Sequence, residues 1–278
     1  MKPFRKNVAI AIDGGGIRGV IVSRALMKLE TALGRNVNQI FQLAAGTSTG
    51  SIIAASIAAG LDAGQIFNLY TGLGENIFRK TWMSLLWPLT RYKYSSESLG
   101  QALYDVFGDM TMGQYWEQNP QFDVVITTFD LFENRTRFIK SWKEEYKDWP
   151  VISAVMASSA VPTYFPVVDG RYVDGGVGSY ANPCYLAAYE ARFCLNWKPE
   201  ETTLISLGTG REVSPNRTGD PARFWAWDWL KPTLDAFMRS AEDQQVHLVE
   251  TFFDKLDFRR YQVDLRENIG LDDPTAIS

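Results

Sequence analysis

Short apolar runs that end at glycine alternate with longer stretches whose apolar residues recur every three or four positions. Val8-Ala9-Ile10-Ala11-Ile12 is uninterrupted, the pattern of a strand buried on both faces, and it stops at Asp13-Gly14-Gly15-Gly16. From Ile17 to Leu33 the spacing of Ile21, Ala25, Leu29 and Leu33 predicts a helix, with Gly34 as its stop. Phe41 to Ala45 predicts a second strand and Gly50 to Ala59 a second helix, so strand, tight turn and helix occur twice. A helical stretch around Ala63 to Tyr70 and a helix beginning at Ser95 or Ser96 follow, then strands over Phe122 to Phe129 and Thr136 to Ile139.

Val151 to Ala160 predicts a small-residue helix ended by Pro162, and Asp169-Gly170 between Pro166-Val167-Val168 and Arg171-Tyr172-Val173 predicts a hairpin. Another buried strand, Thr203 to Leu207, runs into Gly208-Thr209-Gly210. Strands alternating with helices place the chain in the α/β class, with a mainly parallel central sheet and helices on both faces.

At 278 residues, 46% hydrophobic and 22% charged, the chain reads as one folded domain over residues 1–278. The formal charge of −4 gives no electrostatic reason to expect nucleic acid as a partner. No apolar run reaches the roughly 20 residues that span a bilayer, and Met-Lys-Pro-Phe-Arg-Lys is no signal peptide, so the default compartment is the cytoplasm. Cys184 and Cys194 fall in one predicted helix, ~15 Å apart, too far to bridge. Leu271-Asp272-Asp273-Pro274 has the acidic cap and proline that open a helix, which suits either a longer native chain or a frayed end.

The first glycine loop has two readings. Gly14, Gly16 and Gly19 match the dinucleotide-binding turn, but that turn needs an acidic residue about 20 positions on, and Asn36 to Ala45 contains none. A phosphate-cradling P-loop lacks its Lys-Ser or Lys-Thr. The loop is then an anion-binding turn or a purely structural one.

Gly46-Thr47-Ser48-Thr49-Gly50 has the GxSxG form of a nucleophile elbow, in which glycines allow a sharp strand-to-helix turn that exposes the serine. In a parallel sheet both turns project from the carboxyl edge, and neighbouring strands would bring them together. The serine needs a base. His247, the one histidine, sits in a stretch that reads as a surface helix, whereas the base of an α/β-hydrolase follows a strand. Asp174, at a strand end before Gly175 and Gly176, is an alternative base or another Asp-Gly turn. Asp169 is already explained by the hairpin.

The glycine loop, GxSxG and Asp-Gly-Gly, in this order and without a suitable histidine, resemble the patatin-like phospholipases, lipid acyl hydrolases with a Ser-Asp dyad. Ala157 to Pro166 and Ser206 to Gly210 resemble further family segments, so the likeness covers residues 7–210 and the remainder is not diagnostic. It implies a three-layer α/β/α sandwich with Ser48 as nucleophile, Asp174 as base, and backbone N–H groups around Gly14, Gly15 and Gly16 as the oxyanion hole. Arg18 either supports that loop or meets a phosphate. Gly46 and Gly50 belong to the elbow, Gly175 and Gly176 to the loop beside the base. No metal or organic cofactor is implied.

The implied substrate is a phospholipid or another acyl lipid, with peripheral membrane contact. Trp82, Leu85, Leu86 and Trp87, flanked by Arg79, Lys80, Arg91 and Lys93, suit an anionic interface, and Phe224 to Leu230 form a second aromatic cluster. Core packing is the plainer account of either. The rival functions are a neutral-lipid esterase or thioesterase on the same dyad and a catalytically silent lipid-binding protein. Headgroup preference and oligomeric state are not legible.

Overall fold

The computed structural model describes residues 2–76, 89, 91–118, 122–212, 221–225, 228–266 and 269–273. Trp82, Trp87 and the basic and leucine residues between Arg79 and Trp87 lie outside the described residues, as do Ala226 and Trp227 of the second cluster.

The uninterrupted apolar run becomes β1 (Asn7–Ile12), a strand covered on both faces. Val8, Ile10 and Ile12 point to one side, with Ala44, Val124 and Ile126 of β2 (Leu43–Thr47) and β3 (Asp123–Asp130). They pack against α1 (Gly19–Leu33), α3 (Thr49–Ala58), α5 (Glu97–Phe107) and α7 (Val151–Ser159) through Leu26, Ile53, Leu103 and Val155. Ala9, Ala11, Leu43, Ala45 and Val125 point to the other side, against Leu186 and Ala187 of α8 (Cys184–Tyr189) and Val249 of α9 (Leu230–Phe252). The architecture is an α/β/α sandwich, as the alternation of runs predicts. Short helices α2 (Val37–Ile40) and α6 (Met112–Glu117), and α4 (Ala63–Asn76), complete the helical set named here.

The main sheet runs β4-β3-β2-β1-β6-β8, where β4 is Arg135–Lys140, β6 is Thr202–Leu207 and β8 is Asp257–Tyr261; β5 (Tyr172–Asp174) is added on β3. The pairs β1–β2, β2–β3, β1–β6 and β6–β8 are parallel, and β3 pairs antiparallel with β4 and β5. Strands β7 (Arg211–Glu212) and β9 (Asp264–Leu265) form a separate parallel pair.

All ten residues of α3 are buried, so the elbow helix sits inside the molecule, where each isoleucine stabilises by about 1.5–3 kcal/mol relative to exposure. The predicted stripe of α1 is displaced by part of a turn. Val20, Val22, Ser23 and Leu26 are buried, whereas Ala25 and Leu33 are exposed. Gly19 explains this: a Cβ there would collide with Thr49 and Tyr70, and without one the helix packs on its glycine face.

The hairpin is also shorter than expected. Asp169 (φ 50°) and Gly170 (φ 62°) make the tight turn, but Val168 and Tyr172 form only an isolated bridge. The residues after the turn pair with β3 instead, because β3 offers a free edge beyond the end of β2. Cys184 is buried and Cys194 exposed, both as free thiols. Among the described residues no helix is long and apolar enough to cross a membrane.

Candidate active site

Strand register builds the site. Ile12 of β1 pairs with Gly46 of β2, so the glycine loop and the serine turn leave the sheet side by side. Thr47 of β2 pairs with Thr127 of β3, and the next residue of β3, Thr128, pairs with Asp174 of β5. Strand β4 occupies the other edge of β3, so β2 and β5 share one lane of the sheet and meet end to end. Ser48 leaves one end of that junction and Asp174 closes the other. The Thr47 hydroxyl ties the lanes together, 2.7 Å from the Thr127 hydroxyl and 2.5 Å from the Tyr180 carbonyl.

Ser48 sits at φ 54°, ψ −124°, a strained conformation for a non-glycine residue, immediately before the first turn of α3. Its N–H donates to the Ser158 hydroxyl at 2.8 Å, and its carbonyl accepts from the Ser51 hydroxyl at 2.6 Å and the Ser51 N–H at 2.9 Å. The flanking glycines are required by space: a Cβ on Gly46 would collide with the Gly50 carbonyl, and one on Gly50 with the Ile12 carbonyl.

Asp174 is 6% exposed. Its Oδ1 accepts the Gly176 N–H at 2.7 Å, while Oδ2 is buried without a hydrogen-bond partner. Burial pushes its carboxyl up to about 6, and the Ser48 hydroxyl and the Gly176 N–H pull the other way. Serine and aspartate are thus near enough to interact electrostatically, without a formed hydrogen bond to Oδ2; catalytic contacts are often loose before substrate arrives. Gly175 has no room for a side chain because a Cβ would strike Thr127.

The glycine loop narrows the expected set of oxyanion donors. The Gly14 N–H donates to the Ala181 carbonyl at 2.8 Å and is already used, whereas the Gly15 and Gly16 N–H groups donate to no described residue. Gly16 adopts φ 57°, which a side chain disfavours. Arg18 turns back onto the loop, its Nε 3.4 Å from the Gly15 carbonyl. Asp13, buried ahead of the glycines, pairs with both oxygens on the Arg260 guanidinium of β8, at 2.8 and 2.5 Å. Burial pushes the Asp13 carboxyl upward and Arg260 opposes it. The Thr209 hydroxyl donates to the Gly14 carbonyl at 2.7 Å.

Sequence reasoning missed Arg260, Ser158 and Thr209 as parts of this site. Ser158 and Thr209 lie in stretches that carry the family likeness, but only tertiary contact reveals their partners. Arg260 lies in the part of the chain without diagnostic motifs. His247 is exposed on α9, its Nε2 3.5 Å from the Thr251 hydroxyl, and Asp169 stays in its turn. Of the second aromatic cluster, Trp225 is 80% exposed and Trp229 48%, with the Phe224 ring 5.4 Å from that of Trp229.

The family model described as "Patatin-like phospholipase" matches residues 10–188, which include the glycine loop, Ser48 and Asp174. The chain belongs to the patatin-like phospholipase family. A cGAMP-activated phospholipase of Pseudomonas aeruginosa is 28% identical over 251 residues, covering 86% of this chain and 73% of that protein. An intracellular phospholipase A2 of Caenorhabditis elegans is 29% identical over 219 residues, covering 73% of this chain. The calcium-independent phospholipase A2-gamma of Oryctolagus cuniculus is 29% identical over 296 residues, covering 95% of this chain. This chain spans 19% of the nematode protein and 35% of the rabbit one. Among solved structures, VipD from Legionella pneumophila aligns with TM-score 0.47 and 13% identity, over 89% of this chain and 56% of VipD.

Proposed function

We propose that this chain is a lipid acyl hydrolase of the phospholipase A type, with Ser48 as nucleophile and Asp174 as its base. The observation that carries the reading is the open Oδ2 of Asp174, buried beside a serine held in a strained elbow. A carboxylate with an ordinary pKa is a weak base, and burial raises this one toward the range where it can accept a serine proton. Ser48 Oγ attacks the ester carbonyl carbon as its proton passes to Asp174 Oδ2. The Gly15 and Gly16 N–H groups meet the developing oxyanion, helped by the positive end of α3. Collapse breaks the ester C–O bond, and the departing lysolipid oxygen takes the proton from Asp174. Water then attacks the acyl-serine, gives its proton to Asp174, and releases the fatty acid with Ser48 restored.

Membership of the family and the phospholipase names of the relatives support a phospholipid substrate. The test is incubation of the purified protein with defined phospholipids and acylglycerols, alongside Ser48→Ala and Asp174→Asn. Fatty acid release from phospholipid by the wild type, abolished by both substitutions, is the expected result. Turnover that survives both overturns the dyad. Cleavage of glycerides alone removes the phospholipase assignment and leaves the mechanism.

A further inference from the structure

The acidic stretch Leu271-Asp272-Asp273 lies against the glycine loop. The Leu271 carbonyl accepts the Ile17 N–H at 2.8 Å, and a Cβ on Gly16 would collide with that same carbonyl. One residue on, Asp272 Oδ2 accepts from the Tyr94 hydroxyl at 2.7 Å and from the Lys93 ammonium. Lys93 and Tyr94 are fixed by their backbone: their N–H groups donate to the Thr163 and Tyr164 carbonyls at 2.9 and 2.8 Å. The Lys93 ammonium lies 5.5 Å from the Tyr94 ring centre and 5.3 Å from that of Tyr164. Residues 269–273 therefore run from the loop that follows β1 to Lys93 and Tyr94, which the turn after α7 holds in place. The first of these carries the unpartnered Gly15 and Gly16 N–H groups, and the turn after α7 leads along the chain into β5 and Asp174.

We propose that residues 269–273 form a strap over the active site, and that Asp272 occupies a subsite for the phosphate of a phospholipid headgroup. The proposal rests on the acyl-hydrolase reading above. Two donors converging on one carboxylate oxygen, one of them a lysine beside two tyrosine rings, are the groups a phosphate oxygen needs. The Asp272 and Lys93 side chains remain 16% and 25% exposed, so solvent reaches the pair and a headgroup phosphate can compete with the carboxylate for the same donors. A headgroup phosphate takes the place of the carboxylate, the Leu271 carbonyl leaves the loop, and the ester reaches Ser48.

The test uses the whole chain with Asp272→Ala, Asp272→Asn and Lys93→Met, each checked by Tm, and Ser48→Ala as the inactive control. On a soluble, uncharged short-chain nitrophenyl ester, all three should raise kcat/KM about tenfold, the gain when the open form rises from about a tenth of molecules to nearly all. On phosphatidylglycerol vesicles Lys93→Met should lose that gain through a higher KM, while the Asp272 variants keep it. Hydrogen exchange at the Ile17 amide reads the strap without turnover and should accelerate in all three variants. In the Ser48→Ala chain it should also accelerate with phosphatidylglycerol vesicles, but not with diacylglycerol in uncharged micelles. Unchanged Ile17 exchange in both folded Asp272 variants overturns the strap; if both unfold, the vesicle arm decides in the same way. Opening by inorganic phosphate alone overturns the lipid headgroup as the source. Opening by phospholipid without any hydrolysis supports the strap and removes the acyl-hydrolase reading.

Discussion

Asp-Gly-Gly occurs twice at the carboxyl edge of the sheet, as Asp13-Gly14-Gly15 and as Asp174-Gly175-Gly176, and the two segments differ in what meets the carboxylate. Asp13 is 1% exposed and both its oxygens are paired with Arg260; Asp174 is 6% exposed and keeps one oxygen open. In the first, Gly15 makes room for the Thr209 side chain; in the second, Gly175 makes room for the Thr127 hydroxyl and backbone. In the first segment the aspartate anchors and the Gly15 and Gly16 N–H groups are left open; in the second an N–H holds the aspartate and one carboxylate oxygen is left open. Burial is common to both, so burial alone does not leave a carboxylate oxygen open. What distinguishes Asp174 is burial that no cation offsets.

The sharpest way to break this comparison is to remove each carboxylate's charge in turn. Asp174→Asn retains an acceptor for the Gly176 N–H but removes the proposed base, so hydrolysis should fall roughly 10²–10⁴-fold in a steady-state lipid assay, while the urea midpoint at neutral pH should rise because a buried charge is lost. Arg260→Met should act mainly on stability. It leaves Asp13 buried without its partner, and losing one member of a buried pair costs about 3–5 kcal/mol. Urea unfolding measures this, and Asp13→Leu added to Arg260→Met should recover most of it. A stable, fully active Arg260→Met protein would erase the distinction between the two segments.

The pH dependence sharpens the same point. With the Asp174 carboxyl raised to about 6, kcat/KM should climb about tenfold per pH unit below pH 6 and level off above it, through a single ionisation. Stability should move the opposite way. Between about pH 4 and 6 the folded state holds a proton that the unfolded chain has released, so stability falls as pH rises through that window. The share of Asp174 is about 3 kcal/mol, because its carboxyl moves from its ordinary value near 4 to about 6 and each pH unit between them is worth about 1.36 kcal/mol; Asp123 and Glu242, which burial pushes up to about 7, add to the fall. Asp174→Asn should remove this share, so that the fall between pH 4 and pH 7 in urea titrations is smaller than in the wild type.

The local half of this arrangement is legible in the sequence. The apolar run of β1, the GxSxG turn and the strand-end aspartate each carry a short-range signature, because backbone space at a tight turn restricts which residues fit. The meeting of β2 and β5 in one lane is not legible, since β5 is three residues long and its register on β3 is set by where β2 leaves the sheet. Arg260 is hidden for a similar reason: Phe258-Arg259-Arg260-Tyr261 reads as an ordinary strand, and only pairing with β6 brings the guanidinium to Asp13. The donors of the glycine loop are half legible. Three glycines announce a loop that backbone can approach, but not that Ala181 already takes the first N–H.

The smallest effect concerns how the first segment is held. The Thr209 hydroxyl donates to the Gly14 carbonyl at 2.7 Å, and a Cβ on Gly15 would collide with the same Thr209 side chain. Thr209 is therefore a wall and a clamp at once. Thr209→Val keeps the wall and removes the clamp, so it should cost about 0.5–1.5 kcal/mol of stability, the net worth of one such hydrogen bond. The activity readout is more telling than the stability. If the loop must be held for Gly15 and Gly16 to aim at the oxyanion, kcat should drop severalfold with KM unchanged, because the lost alignment matters only in the transition state. A change in KM alone would mean that Thr209 shapes substrate binding and that the loop is rigid without it, its alignment then resting on Asp13, Arg260 and the Gly14–Ala181 bond.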